Sequence, residues 1–233
     1  MSAILFKEIN NLKKLILSLS ARVEEAVQMS TKAVADLDPG MAASVIEKDV
    51  DIDQMEVEVE EECLKILALH QPVATDLRFI VACLKLNNDL ERIGDLGVNI
   101  ARRVLYLTQS VQPVRNFDFR GMMEKSRCML KKSLDALVNL DGRLAREVCA
   151  ADDEVDSINK KIRSDLVCSI RENPDKTELF IRFMEISRSL ERIADHATNI
   201  AEDVIYMTSG EIPRHGADAP PHLNHQDTQD MAR

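Results

Sequence analysis

Hydrophobic residues recur at alternating steps of three and four along two stretches of the chain. This spacing places side chains on one face of an α-helix, so each stretch predicts a helix with one packed face. Both stretches end in Leu-Asp followed by turn residues. Asp38 and Asp141 are predicted to cap the next helix, and Pro39 is tolerated at its first position. The spaced positions are Ile9, Leu12, Ile16, Leu19, Val23, Ala26, Ser30, Ala33 and Leu37, then Phe119, Met122, Ser126, Met129, Ser133, Ala136 and Leu140.

A second and a third helix are predicted in each half. The second helices are expected to end near Gln71-Pro72 and Asn173-Pro174, where each proline is expected to start a third helix because it lacks an N–H that would need a partner. The third helices are expected to run to about Thr108 and Ser209-Gly210. The apolar positions of the second helices are Ile52, Met55, Val59 and Cys63, and, 103 residues later, Val155, Ile158, Ile162 and Leu166.

The third helices indicate an internal duplication. Residues 90–101 read LERIGDLGVNIA and residues 190–201 read LERIADHATNIA, so eight of twelve positions agree at an offset of 100. An internal repeat at a fixed offset predicts two copies of one structural unit. Small residues recur on the apolar side of both third helices and indicate close helix approach: Gly94, Gly97, Ala101, Ala194, Ala197 and Ala201.

The predicted fold is all-α, with two tandem three-helix bundles related by the duplication. Short connections make neighbouring helices antiparallel, and six helices of roughly 25–35 residues are expected. The bundles are predicted over residues 1–110 and 119–212, with a linker at 111–118. Residues 213–233 are rich in Pro, His, Asp and Gln, which predicts a disordered tail.

Composition narrows the function classes. A net charge of −10 without a basic stripe argues against nucleic acid as a partner. No apolar run approaches the ~20 residues of a membrane span, and Lys7 and Glu8 come too early for a signal peptide, so a soluble cytoplasmic protein is predicted. The five cysteines form no CxxC pair and are expected to be reduced and mostly in the core: Cys63, Cys83, Cys128, Cys149 and Cys168.

Acidic pairs with a four-residue spacing occur at matching places in both halves. A solvated helix face is the plain interpretation, yet like charges four residues apart repel each other, and the pairs are nevertheless repeated. In an antiparallel hairpin, residues equally far from the turn lie side by side, so the acids of the second and third helices can converge if their polar flanks face each other. The pairs are Asp49/Asp53 with Glu91/Asp95, and Asp152/Asp156 with Glu191/Asp195.

Such clusters suit a metal ion. Carboxylates with an asparagine oxygen form a hard anionic site for a divalent or trivalent cation. The first cluster is less favourable because Arg102 falls on the same flank, where the second half has Glu202. The candidate metal ligands are Asp49, Asp53, Glu91, Asp95, Asn99, Asp152, Asp156, Glu191, Asp195 and Asn199.

Other chemistry finds little support in the sequence. It contains no Gly-rich phosphate loop, no GxSxG motif and no nucleophile with a base beside it, so the protein is predicted not to be an enzyme. His196 is off the acidic face, and His70 is interpreted as a helix-end capping or surface residue. The remaining histidines, His215, His222 and His225, lie in the predicted tail.

The segment QPVATDLRFIVACLKLNNDLERIGDLGVNIARR and its echo LERIADHATNIAEDVIYM resemble the PhoU family of phosphate-transport accessory and regulatory proteins. The resemblance covers the chain to about residue 212. It implies a cytoplasmic protein, usually dimeric, of two three-helix bundles with long helices like those of spectrin repeats. It also implies that some members bind a metal ion (iron, zinc, manganese or magnesium) at the acidic positions given above. Arg102 and Arg103 depart from a symmetric pattern and weaken the first cluster.

The resemblance further implies a negative regulator of the phosphate-starvation response. Such a protein would connect the ATPase subunit of a phosphate ABC transporter to a sensor histidine kinase when phosphate is plentiful. Two alternatives stay open from the residues alone. One is a carboxylate-bridged metal oxidase or hydrolase in a helical bundle. The other is a purely structural helical module.

Overall fold

The structure of the chain is a computed structural model that describes residues 3–109 and 119–210. These two ranges contain α-helices and one short 3₁₀ helix, Pro174–Lys176, and they contain no strand. The predicted all-α class is therefore confirmed. The predicted linker at 111–118 and the tail at 213–233 lie outside the described residues. The helices are α1 Ala3–Asp36, α2 Pro39–Glu47, α3 Asp49–His70, α4 Ala74–Thr108, α5 Phe119–Asn139, α6 Gly142–Glu172 and α7 Thr177–Ser209.

Aspartate caps begin the second helix of each half, as predicted. The Asp38 carboxylate accepts hydrogen bonds from the backbone N–H groups of Gly40 and Met41 at 2.8 and 3.0 Å. Asp141 caps α6 in the same way. The residues before the caps, Leu37 and Leu140, have left-handed backbone conformations with φ of 49°. Both side chains are exposed, so including them in the packed face was wrong. The left-handed φ ends the helical periodicity that would have directed them inward.

Two helix boundaries differ from the prediction. The second helix of the first half is interrupted at Lys48, which separates α2 from α3, whereas α6 is continuous. The prolines do not start the third α-helices. Pro72 precedes the extended Val73, and α4 begins at the next residue, while Pro174 starts the 3₁₀ turn ahead of α7. Gln71, with a φ of 45°, ends α3 before the proline is reached.

The third helices form the centre of the molecule. Helix α4 packs on α1 and α3, helix α7 packs on α5 and α6, and α4 also packs against α7. The two bundles therefore share one hydrophobic core. The predicted close approach is confirmed at two glycines. A Cβ on Gly94 would lie 3.3 Å from Cγ2 of Ile52 in α3, and one on Gly97 would lie 3.8 Å from the backbone of Ala26 in α1.

Ion pairs along the contact between α4 and α7 show that the two helices are antiparallel. Lys85 Nζ near the start of α4 lies 3.1 Å from Asp203 Oδ1 near the end of α7. Arg103 Nε near the end of α4 lies 2.6 Å from Glu185 Oε2 near the start of α7. We call this contact the α4–α7 interface. At the offset of 100, position 85 corresponds to 185 and position 103 to 203, so the two pairs join equivalent positions and the halves are related by an approximate two-fold axis.

The cysteines are only partly in the core. Cys63 and Cys83 are buried, Cys149 is half-buried, and Cys128 and Cys168 are exposed. All five are free, as predicted, but the expectation that most lie in the core was wrong. The exposed pair occupies outward positions of amphipathic helices, which tolerate a small side chain of either character. In the described residues, no helix is both long enough and apolar enough to cross a membrane.

Candidate carboxylate sites

The second half brings four acidic side chains of α6 and α7 into electrostatic contact. We call Asp152, Asp156, Glu191 and Asp195 the second carboxylate site. Burial and, in decreasing order, the negative charges of Asp152, Glu191 and Asp156 together raise the pKa of Asp195 to about 6. Like charges that share a partly desolvated site favour the protonated form of one member. The polar flanks of α6 and α7 therefore face each other in this half, which the sequence had left open.

Asp152 occupies a similar environment from the other helix. Burial raises its pKa, and the charges of Asp156 and Glu191 act in the same direction. One neutral group opposes them, because the Thr198 hydroxyl donates to Asp152 Oδ1 at 3.4 Å. Lys160 Nζ lies 3.6 Å from Asp156 Oδ2, at the solvent side of α6.

The first half forms a matching site from α3 and α4. We call Asp49, Asp53, Glu91 and Asp95 the first carboxylate site. Burial raises the pKa of Asp49, and the charges of Asp53 and Asp95 add to this, whereas Arg102 lowers it. Asp49 approaches α4 at Gly94, which has no side chain. Its Oδ1 atom lies 4.0 Å from the position that a Cβ on Gly94 would occupy. Arg102 acts on this site as the sequence suggested.

Arginine neutralisation of the first carboxylate site is stronger than the sequence suggested. Arg92 Nε lies 3.4 Å from Glu91 Oε2, and Arg92 Nη1 lies 3.5 Å from Asp95 Oδ2. Burial raises the pKa of Glu91, and Arg92 partly reverses that shift. Arg103, by contrast, takes no part in the site, because it pairs with Glu185 across the α4–α7 interface. Of the two predicted departures from symmetry, only Arg102 bears on the acids.

Asn199 and His196 meet Asp89 of α4 rather than completing the second carboxylate site. The Asn199 amide donates to Asp89 Oδ1 at 3.2 Å, and His196 Nδ1 lies 2.7 Å from the same oxygen. Asp89 is buried, and these contacts join the two halves. The structure therefore places Asn199 in the α4–α7 interface. Asn99, its counterpart in α4, is half-buried. His70, the last residue of α3, has its Nε2 2.5 Å from Glu8 Oε2 of α1.

Sequence reasoning missed a buried polar link in each bundle. Asn87 of α4 donates to the backbone oxygen of Glu56 at 2.9 Å and to its carboxylate at 3.1 Å. In the second half, the Ser187 hydroxyl donates to Asn159 Oδ1 at 2.6 Å. The two links occupy corresponding positions of the duplication, at offsets of 100 and 103, although the residue types differ. Hydrogen bonds between buried polar groups of two helices help to fix the register of those helices.

The donor chemistry of both sites fits a hard cation, which prefers carboxylate oxygens. The charges of Asp152, Glu191 and Asp156 add to burial in raising the pKa of Asp195, and the charge that opposes this shift is that of His196 rather than an arginine. Among residues 3–109 and 119–210, however, no three His, Cys, Asp or Glu side chains are arranged as ligands around one point. Binding a metal ion would therefore require new rotamers of these half-exposed carboxylates.

A family model described as the PhoU domain matches residues 16–104 and again residues 119–204. The chain belongs to the PhoU family. The two matches correspond to the two bundles, and the resemblance seen in the sequence is confirmed.

Similar proteins agree with the PhoU assignment. A phosphate-specific transport system accessory protein PhoU homolog of Pseudomonas aeruginosa is 38% identical over 209 residues, which are 89% of this chain and 86% of that protein. PhoU homolog 1 of Thermotoga maritima is 34% identical, with 88% of this chain and 89% of that protein covered.

Solved structures show the same fold. The crystal structure of PhoU from Pseudomonas aeruginosa has a TM-score of 0.86 and 37% identity, covering 88% of this chain and 99% of that one. The phosphate transport system regulatory protein PhoU from Streptococcus pneumoniae has a TM-score of 0.83 and 27% identity, covering 91% and 100%. The predicted pair of tandem three-helix bundles is thereby confirmed.

Proposed function

We propose that this protein regulates phosphate uptake and the phosphate-starvation response as a non-enzymatic adaptor. In this proposal it contacts the ATPase subunit of a phosphate transporter and a sensor histidine kinase, and it keeps the response off when phosphate is plentiful. A cytoplasmic location and a homodimer are part of the same proposal. The observation that carries it is the match of both bundles to the PhoU domain, together with relatives named as accessory proteins of phosphate-specific transport.

The shape of the molecule supports an adaptor. Long helices packed on one shared core present several extended outer faces, and α3 and α6 lie on different bundles. Two similar but chemically different faces can hold two different partners, since the pattern of charges across an interface determines which partner binds.

Deletion of the gene tests this function. In phosphate-rich medium, cells without the protein are expected to express a phosphate-responsive reporter that intact cells keep off. A plasmid copy of the wild-type gene is expected to restore repression, which controls for effects on neighbouring genes. Reporter expression that is unchanged by the deletion would contradict the proposal.

We also propose that the second carboxylate site holds a divalent or trivalent metal ion. Asp152, Asp156, Glu191 and Asp195 would supply the oxygen ligands. The second site is favoured over the first because Arg92 and Arg102 already place positive charge beside the acids of the first. When bound, the ion would supply positive charge that joins α6 to α7.

Calorimetric titration with Mn²⁺ distinguishes the two sites. Protein carrying Asp152→Asn and Asp195→Asn is expected to lose saturable binding. Protein carrying the matched changes Asp49→Asn and Asp95→Asn is expected to keep it. Equal binding by both double variants, or the absence of saturable binding by the wild type, would contradict this assignment.

A further inference from the structure

Helix α3 has an apolar stripe on the face opposite the core. Val50, Val57 and Leu64 are seven residues apart and are 66%, 44% and 53% exposed. The core-facing residues of the same helix, among them Ile52 and Val59, are buried. A seven-residue step returns to nearly the same side of a helix, with a drift of about 20°. The three side chains therefore form one outward line, which we call the α3 stripe.

Acidic residues border the α3 stripe on both sides. On a helical wheel, Asp53 and Glu60 fall on one side of the line, and Glu58 and Glu61 on the other, and all four are exposed. We call these four residues the acidic flanks. The lysine of α3, Lys65, lies 3.4 Å from Glu8 of α1 and 3.1 Å from Glu62, so its charge is already engaged by two carboxylates. The face is thus apolar along its middle and negative along its edges.

The duplicated helix α6 keeps only one apolar position of this surface, since Val167, which matches Leu64, is 39% exposed. At the positions 103 residues later, Lys160 replaces Val57, Lys161 replaces Glu58 and Arg163 replaces Glu60. These three basic side chains are exposed. The bundle therefore folds with lysine and arginine at the same outward positions, and neither the apolar line nor the acidic border is needed for the fold. An exposed apolar feature that packing does not require marks an interaction surface.

We propose that the α3 stripe and its acidic flanks bind an amphipathic helix of another protein, with apolar residues at a seven-residue spacing and lysine or arginine beside them. Apolar residues at heptad spacing match the seam by which two helices pack, and charges beside the seam select the partner. The stripe is about 21 Å long at 1.5 Å per residue, enough for three heptad contacts. This inference deepens the proposed function and rests on it for the existence of a protein partner.

A second copy of this chain fits the surface less well. If two α3 stripes met, the acidic flanks of both copies would face each other, which is repulsive. If α3 met α6 of another copy, the outward line of α6 would offer Asp153 and Lys160 at the positions that match the two valines, and only Val167 would be apolar. A basic helix with its own apolar residues satisfies both the apolar line and its borders.

Peptide binding to the full chain tests the proposal. The probe is a fluorescein-labelled helical peptide of about three heptads, with leucine along its seam and lysine beside it. A second peptide has the same leucines with glutamate in place of lysine. In fluorescence anisotropy the lysine peptide is expected to bind saturably and the glutamate peptide at least about tenfold more weakly. Equal binding of both peptides, or none by the lysine peptide, would overturn the proposal.

Variants locate the binding site. The triple change Val57→Lys, Glu58→Lys, Glu60→Arg introduces the residues that α6 has at these positions, and it is expected to weaken lysine-peptide binding by about tenfold or more. Val138→Lys, at a 54% exposed valine on α5, is the control and is expected to change binding less than about twofold. Circular dichroism should show the same helix content in all three proteins. A triple variant that binds like the wild type, or a control that loses as much, would refute the assignment.

Two further measurements separate the competing explanations. Sedimentation of the wild type and the triple variant tests whether a second copy of this chain binds the α3 stripe. If the triple change dissociates a dimer and the lysine peptide does not bind, the surface serves self-association and the proposal is overturned. In cells, the triple variant is expected to fail to repress the phosphate-responsive reporter. If gene deletion leaves that reporter unchanged while the peptide still binds α3, the proposed function fails and the binding surface stands.

Discussion

The ion pair between Arg103 and Glu185 has a counterpart at the duplicated positions of the same interface. Arg103 Nε lies 2.6 Å from Glu185 Oε2, and the duplicated positions, Asp203 and Lys85, form a pair at 3.1 Å. The bases of these pairs are both on α4 and the acids are both on α7. If two copies of α4 met instead, Arg103 would face Lys85. The duplicated helices have therefore diverged so that α4 selects α7 as its neighbour.

Charge reversal at this pair tests that selection. Arg103→Glu places two carboxylates together at the α4–α7 interface and is expected to lower the free energy of unfolding by about 1 kcal/mol. The value is small because both side chains are partly exposed. Adding Glu185→Arg is expected to restore part of the loss, and urea unfolding measures both steps. A double variant no more stable than the single one would show that the pair contributes no selective energy.

Asp195 is expected to make stability depend on pH. Its pKa in the folded protein is raised to about 6 from an ordinary 3.8, chiefly by burial. A group with a raised pKa in the folded state stabilises the fold when protonated, so this contribution is full below about pH 4 and is lost as the pH rises through about 6. In chelator-treated protein, Asp195→Asn should therefore raise the Tm at pH 7 relative to the wild type. The difference should vanish near pH 4.

The environment of Asp195 can be measured separately. Asp152→Asn removes the neighbouring charge that raises the pKa of Asp195 most, so that pKa should fall towards its ordinary value. NMR titration of the Asp195 carboxyl carbon measures it directly. Lys160→Ala, which changes a lysine beside Asp156 instead, is the matched control. A pKa of Asp195 that the Asp152 change leaves unaltered would contradict the shared second carboxylate site.

The two glycines of α4 should respond differently to alanine. At Gly97 the nearest atoms to a new Cβ are 3.7 and 3.8 Å away, an ordinary contact distance, so Gly97→Ala is expected to stabilise by up to about 1 kcal/mol through helix propensity. At Gly94 the new Cβ would be 3.3 Å from Ile52, and the resulting strain is expected to cancel the gain in stability from helix propensity. Chemical denaturation of both variants gives the comparison. Equal effects would indicate that Ile52 moves aside without cost.

The buried link between Ser187 and Asn159 should matter more than exposed hydrogen bonds. Ser187→Ala leaves the Asn159 side-chain oxygen without its 2.6 Å donor, and the expected loss is about 1–3 kcal/mol in the free energy of unfolding. Ser209→Ala, at the exposed end of α7, removes a hydrogen bond to the backbone oxygen of Ile205; it is the control and is expected to cost less. If the two variants are equally stable, water satisfies Asn159 in the folded protein.

Much of the fold could be predicted from local patterns. The caps at Asp38 and Asp141 and the ends of α4 and α7 were correct, because they depend on residues within one turn of each other. The break at Lys48 was not predicted, because the equivalent stretch of α6 is continuous and no proline or glycine marks the difference. The exposure of Leu37 and Leu140 was missed because a left-handed residue at the end of a helix still fits a spacing of three and four.

The sequence by itself determined the duplication, the all-α class and the pairs of acids at matching heights, because an offset of 100 and a step of four are readable along one chain. Only the tertiary structure decided what those acids meet. Arg92 neutralises the first carboxylate site, Asn199 turns to Asp89 of the other half, and Arg103 pairs with Glu185. These contacts depend on how two helices rotate about their axes and cross. Packing of the whole core sets that rotation, and no single segment specifies it.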